Sequence, residues 1–185
     1  MPANAGVLTQ PVVLVGMMGS GKTAVGGALA RMLGVDFLDS DDAIVTAANM
    51  SIAEIFERDG EPFFRKRETE VLARLLDGKP AVLSTGGGAF LSPENRELIA
   101  DRAVSVWLKA DLDLLWSRVR HKTTRPLLRT DNPYETLKEI AGERNPIYAK
   151  AELAVEAHAD YSIEQMAQSV YETLKSAGHV VEGGQ

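Results

Sequence analysis

Apolar positions in this chain change period repeatedly, and the changes mark its elements. PVVLVG (Pro11–Gly16) is a short unbroken apolar run, which predicts a strand buried on both faces. From Lys22 to Leu33 the apolar residues recur at helical spacing, and Gly34 stands where a helix-ending glycine belongs. VDFLD (Val35–Asp39) predicts a second strand. Ser51-Ile52-Ala53-Glu54 has the capping-box form and starts a helix that carries Ile55 and Phe56. A further helix is expected over Phe63–Leu76, followed by a strand, AVLST (Ala81–Thr85). Ser92-Pro93 opens a helix with proline at its first position, AVSVWL (Ala103–Leu108) predicts a fourth strand, and Asp111–Arg120 a helix. His121–Asp131 is polar, basic and without period, and reads as a loop. Asn132-Pro133 begins another helix, LAVEA (Leu153–Ala157) predicts a fifth strand, and Ser162-Ile163-Glu164-Gln165 caps the last helix. Gly178–Gln185 reads as a loose tail.

Strands alternating with helices imply right-handed crossovers and an α/β fold, a parallel sheet with helices on both faces. Ligands of such sheets bind beyond the carboxyl ends of the strands, so the residues just after each strand are the informative ones.

Composition narrows the function classes. The 185 residues suit one domain, 1–185, with a single core. A net charge of −6 argues against general binding to nucleic acid or anionic membranes, so a basic site has to be local. With no cysteine, disulfides, thiolate metal sites and cysteine nucleophiles are excluded together. The first basic residue is Lys22 and the first apolar run is short, so neither a signal peptide nor a membrane span is expected and the protein reads as cytoplasmic.

After the first strand comes Gly16-Met17-Met18-Gly19-Ser20-Gly21-Lys22-Thr23, a full G-x-x-x-x-G-K-[ST]. The glycines let consecutive N–H groups wrap a phosphate, and the following helix adds its N-terminal dipole. Lys22 can reach the β- and γ-phosphates and the Thr23 hydroxyl can ligate Mg²⁺. The guanine motif N-K-x-D and the GTPase D-x-x-G are both absent. A motor or ABC-type ATPase would end a strand in an apolar run plus Asp or Glu, whereas the third strand ends in Ser84-Thr85 before Gly86-Gly87-Gly88. The carboxylates follow strand two instead, as Asp39-Ser40-Asp41. Two residues apart in an extended segment, Asp39 and Asp41 would point the same way, one serving Mg²⁺ through its water shell and the other an acceptor hydroxyl. The competing reading has Asp41 capping the next helix. Arg65 (GEPFFRKRE), Arg125 (TTRPLLR) and Arg144 (ERNPIY) offer charge for a transferring phosphoryl group or a two-pronged grip on a carboxylate.

Taken in order, the phosphate loop, DSD, GEPFFRKRE, STGGG, RPLL and ERNPIY resemble the shikimate kinases, of the nucleoside-monophosphate-kinase-like branch of P-loop folds, from about Val12 to Leu174. The resemblance implies a five-stranded parallel sheet in order 2-3-1-4-5, a substrate-binding subdomain over about 39–76 and a lid over about 121–132. It implies ATP-dependent phosphorylation of the shikimate 3-hydroxyl, giving 3-phosphoshikimate and ADP on the route to chorismate and the aromatic amino acids. By the same resemblance Gly19, Ser20, Gly21, Lys22, Thr23 and Ala24 hold the nucleotide phosphates, with Thr23 and, through water, Asp39 on Mg²⁺. Asp41 binds the reacting hydroxyl, Arg65 and Arg144 clamp the carboxylate, and Glu68 orients Arg65. Gly86, Gly87 and Gly88 set backbone N–H groups and open space against the ring. Arg125 reaches the phosphates from the lid, and Arg118 stacks near adenine. Catalysis then rests on Lys22, Asp41 and Arg125. The expected partners are ATP, Mg²⁺ and shikimate, with no nucleic acid and no membrane, in a monomer. The loop after strand five departs from the pattern by lacking a basic residue, with His158 in its place, and Trp107 and Trp116 are expected to pack in the core. A gluconate-kinase-like enzyme and a non-catalytic nucleotide-gated module are the competing readings.

Overall fold

The computed structural model describes residues 6–121 and 130–183. Its main sheet is parallel and runs β3 (Phe37–Asp39), β4 (Val82–Ser84), β2 (Val12–Val15), β5 (Val104–Lys109), β6 (Leu153–Glu156). In the numbering of the expected strands this is the order 2-3-1-4-5. The central strand shows why its apolar run is unbroken. Val12 and Leu14 face a core shared with α1 (Lys22–Leu33) and α8 (Ile163–Ser176). Val13 and Val15 face the opposite core, shared with α5 (Pro93–Arg102), α6 (Leu112–Val119) and α7 (Pro133–Tyr148). Each such side chain taken from water contributes about 1.5–3 kcal/mol, which fixes the register across the sheet.

Helix α1 begins and ends at the expected residues. Gly34 adopts φ 65° and returns its N–H to the Ala30 and Arg31 carbonyls. Gly26 lets α1 lie close over the sheet, since a Cβ there would sit 2.6 Å from the Phe37 ring. Helix α4 (Glu61–Leu76) starts two residues before the expected Phe63, behind Gly60 at φ 85°. A third apolar cluster, Ile44, Ile55, Phe64 and Val71, joins α2 (Ser40–Ala48), α3 (Ile52–Asp59) and α4 beside the carboxyl end of the sheet. Helix α2 was not expected from the apolar spacing; Asp39 caps it, and Ile44 is its one fully buried large side chain.

The expected loose tail is corrected over its described part. β1 (Val7–Leu8) pairs antiparallel with β7 (Val180–Val181), and Val180 enters the α1–α8 core. His179, without an expected role, bonds Gln10 at 3.1 Å and Glu152 at 3.2 Å. Gln10 lies 169 residues from His179 in sequence, so local composition carried no sign of that pairing. Among the described residues no helix is long and apolar enough to cross a membrane.

Candidate active site

The carboxyl ends of β2, β3 and β4 open into one cleft of about 770 Å³. Its floor at one end is the turn from β2 into α1. Gly16, Gly19 and Gly21 have φ 148°, 81° and 97°, values that side-chain-bearing residues rarely adopt. The turn is also packed too tightly for larger residues: a Cβ at Gly16 would meet the Leu108 carbonyl at 2.9 Å, and one at Gly19 the Val119 methyl at 2.7 Å. The Lys22 ammonium donates to the carbonyls of Gly16 (2.6 Å) and Met17 (3.1 Å), which holds it over the loop. Thr23 and Ala24, in the first turn of α1, are exposed to the cleft. The Ser20 hydroxyl is buried and has no hydrogen-bond partner among the described residues. Arg118 on α6 donates to the Gly19 carbonyl at 2.9 Å, so it braces the loop from outside while lining the cleft.

The two aspartates sit differently from the extended pair expected. The chain turns helical at Ser40, and Asp39 caps α2 by accepting from the N–H groups of Asp41 and Asp42 at 2.9 and 3.1 Å. The cap is therefore Asp39, and Asp41 in the first turn keeps its carboxylate for the cleft. Burial, with the neighbouring Asp39 charge, pushes the Asp41 carboxyl above its ordinary value; Lys22 and Arg65 pull the other way.

The three glycines after β4 have a reason that the sequence did not disclose. A Cβ at Gly86 would lie 2.7 Å from Asp41 Oδ1, one at Gly87 3.1 Å from Arg144 Nη1, and one at Gly88 2.5 Å from Arg65 Nη2. Each glycine leaves room for one charged side chain of the protein itself. All three therefore crowd against a single short segment of backbone. Arg65 is anchored from below by Glu68, only 1% exposed, at 3.0 Å. Burial raises the Glu68 carboxyl, and Arg65 holds it down in opposition.

Several residues without an expected role hold this segment. Asn95, fully buried, donates to the Ala89 carbonyl and accepts from Thr69 on α4. Arg96 donates to the carbonyls of Phe90 and Leu91. Tyr148, the last residue of ERNPIY, is 1% exposed and donates to the Gly87 carbonyl at 2.7 Å. Its place in a quoted motif was the one available signal. The cleft is also lined by Tyr161, Ser162, Ile163 and Met166, with the His158 ring tilted against Tyr161 at 4.5 Å between centroids. Trp107 is core, whereas Trp116 is half-buried edge-on to Tyr134. Arg125, Lys122 and most of the expected lid lie outside the described residues.

The remaining expected residues, namely Gly19 to Ala24, Asp39, Asp41, Arg65, Gly86 to Gly88, Arg118 and Arg144, all line this one cleft. Its chemistry is a glycine-rich turn with the Lys22 ammonium at one end. The half-buried Asp41 carboxylate lies at the other, with the Arg65 and Arg144 guanidinium groups.

A family model described as shikimate kinase matches residues 18–175. The shikimate kinase of Cereibacter sphaeroides is 63% identical over 175 residues, which span 95% of this chain and 87% of that protein. That of Ruegeria pomeroyi is 60% identical over 179 residues, 97% of this chain and 92% of that protein. Among solved structures, a shikimate kinase from Acinetobacter baumannii in complex with shikimate superposes with a TM-score of 0.84 at 38% identity, covering 91% of this chain and 94% of that one. Likeness of this degree extends along nearly the whole length and includes the strands and turns that build the cleft. The chain belongs to the shikimate kinase family.

Proposed function

We propose that this protein transfers the γ-phosphoryl group of ATP to the 3-hydroxyl of shikimate, giving 3-phosphoshikimate and ADP. The observation that carries this reading is the division of the cleft in a member of this family. A phosphate nest with Lys22 lies at one end; Asp41, Arg65 and Arg144 surround a patch of bare backbone at the other.

A substrate with one carboxylate and several hydroxyls suits that second end. Arg65 and Arg144 offer planar forks for the carboxylate, and the segment Gly86–Gly88 offers N–H donors at close approach. The hydroxyl oxygen attacks the γ-phosphorus in line as the bond from phosphorus to the β–γ bridging oxygen breaks. The hydroxyl proton passes toward the Asp41 carboxylate. A loose transition state needs little proton removal, so Asp41 acts mainly by orienting the hydroxyl. Lys22 and the loop N–H groups offset charge on the oxygens, and positioning supplies most of the remainder. Arg125, from the segment 121–132, is assigned to the same phosphates on closure, and Arg118 to the base.

Mg²⁺ fits the donor set. Thr23 presents a hydroxyl to the cleft, Asp39 is a carboxylate lining it, and among the described residues no group of three His, Cys, Asp or Glu side chains could hold a metal. A cation there takes its other oxygens from phosphates and water, the habit of Mg²⁺, and it supplies charge neutralisation and alignment of the phosphates. The protein acts in this reading as a cytoplasmic monomer on a small molecule.

Coupled ADP release in the presence of Mg²⁺ and ATP tests the assignment. Shikimate should stimulate it strongly and quinate or gluconate should not. Equal stimulation by gluconate would move the protein to another small-acid kinase. No stimulation by any acceptor would make it a nucleotide-gated binding module.

A further inference from the structure

Arg144 and Tyr148 stand one turn apart on α7, on the face toward the glycine segment, with Pro146 between them. Both reach the same peptide. Arg144 Nη1 lies over Gly87, 3.1 Å from where a Cβ would be, and the Tyr148 hydroxyl donates to the Gly87 carbonyl at 2.7 Å. The positive charge of Arg144 also acts on the phenol, opposing the rise in pKa that burial gives it. Its ring is fixed in the core, tilted against Trp107 at 6.4 Å between centroids. Burial raises the phenol above its ordinary pKa, so it remains a donor throughout the working range.

We infer that Tyr148 is a positioning residue for the acceptor substrate, fixing the orientation of the Gly87–Gly88 peptide over which the Arg144 guanidinium lies. The inference deepens the proposed function and rests on it. A trans peptide carries its C=O and N–H on opposite edges. Holding the Gly87 oxygen against Tyr148 therefore turns the Gly88 N–H away from α7, to the side that lines the cleft. Arg144 has five N–H donors and a long stem, so the fixed Gly87 backbone against its fork limits how far it can swing. Phosphate groups at the other end of the cleft touch neither partner. The effect should fall on one substrate alone.

The test is Tyr148→Phe, which keeps the ring and its packing. The Michaelis constant for shikimate should rise about tenfold, the scale of one hydrogen bond involving a charged group. That for ATP should stay within about twofold. In an Arg144→Lys background the same change should cost markedly less, because both side chains act at the Gly87 peptide. A purely structural role would lower stability and shift both substrates, or neither, and either result overturns the proposal. An additive double variant overturns it as well. A second measurement needs no variant: in the wild-type protein, shikimate alone should shift the Gly88 amide resonance and slow its hydrogen exchange. An unresponsive Gly88 amide refutes the inference even if Tyr148→Phe does not fold. A failed substrate assignment shows itself separately, as wild-type protein that releases no ADP with shikimate, and it takes this inference with it.

Discussion

Replacing Gly88 by alanine separates the reasons a glycine can be required. The backbone there has φ −95° and ψ −9°, which alanine adopts without strain. The added methyl, however, would stand 2.5 Å from Arg65 Nη2 and 2.6 Å from Nη1. Carbon and nitrogen in contact sit roughly 3.5 Å apart, so the guanidinium has to retreat by about 1 Å. It is the far end of a flexible side chain, and the fold has little to lose by its movement. Alanine also restricts the unfolded chain, which offsets some of that loss. We expect stability within about 1 kcal/mol of wild type, a melting shift of about 4 °C or less for a chain of this size. The substrate grip is another matter. Arg65 is poised by Glu68 at 3.0 Å, and a displacement of about 1 Å at a positioning group can cost up to 100-fold. kcat/KM for shikimate should fall about 10- to 100-fold, chiefly through the Michaelis constant, while that for ATP barely moves. Steady-state kinetics in both substrates beside a thermal melt decide it. Wild-type shikimate kinetics in Gly88→Ala, or a collapse of the melt with affinity unchanged, would refute the steric account.

Lys22→Met should lower turnover at least about 100-fold with the melt nearly intact, since Lys22 opens α1 at the cleft and its ammonium donates to the loop carbonyls of Gly16 and Met17; retention of a third of the activity would end its phosphate role. The raised Asp41 carboxyl gives a signed pH prediction. Its native form holds a proton to higher pH than the unfolded chain does, so its contribution to stability falls as pH rises from the ordinary aspartate value through the raised one. Turnover should accordingly drop on acidification at a pH above the ordinary aspartate range. Asp41→Asn should abolish that limb, cut turnover strongly and melt no earlier than wild type at pH 7; an unchanged acid limb would assign it to another group. For the segment 121–132, trypsin cleavage after Lys122 and Arg129 should slow most with an ATP analogue and shikimate together, the Arg125–Pro126 bond being a poor site in any case. Equal cutting under all conditions would remove the lid, and Arg125→Ala would then leave turnover untouched instead of lowering it by about 10³-fold.

What the sequence determined alone was whatever depends on near neighbours. The order of strands and helices, the α1 boundaries with their Gly34 terminus, and the caps Ser51, Ser92, Asp111, Asn132 and Ser162 follow from spacings of a few residues. The phosphate loop was legible for the same reason, because one strand, one turn and one helix carry the whole of it. Tertiary structure decided the rest. Whether Asp39 or Asp41 caps α2 depended on where the chain left β3, a matter of sheet packing more than of side-chain type. The pairing of β1 with β7 joins Val7–Leu8 to Val180–Val181, and two valines in a Gly-rich segment give no local sign of a partner so distant in sequence. The glycine triplet was legible as open space but not as space for whom. Asp41 comes from α2, Arg65 from α4 and Arg144 from α7, and only the packed sheet brings three helices to one strand end. Steric exclusion acts between atoms in contact. Until the chain is folded, nothing in the order of residues says which side chains those three missing Cβ atoms make way for.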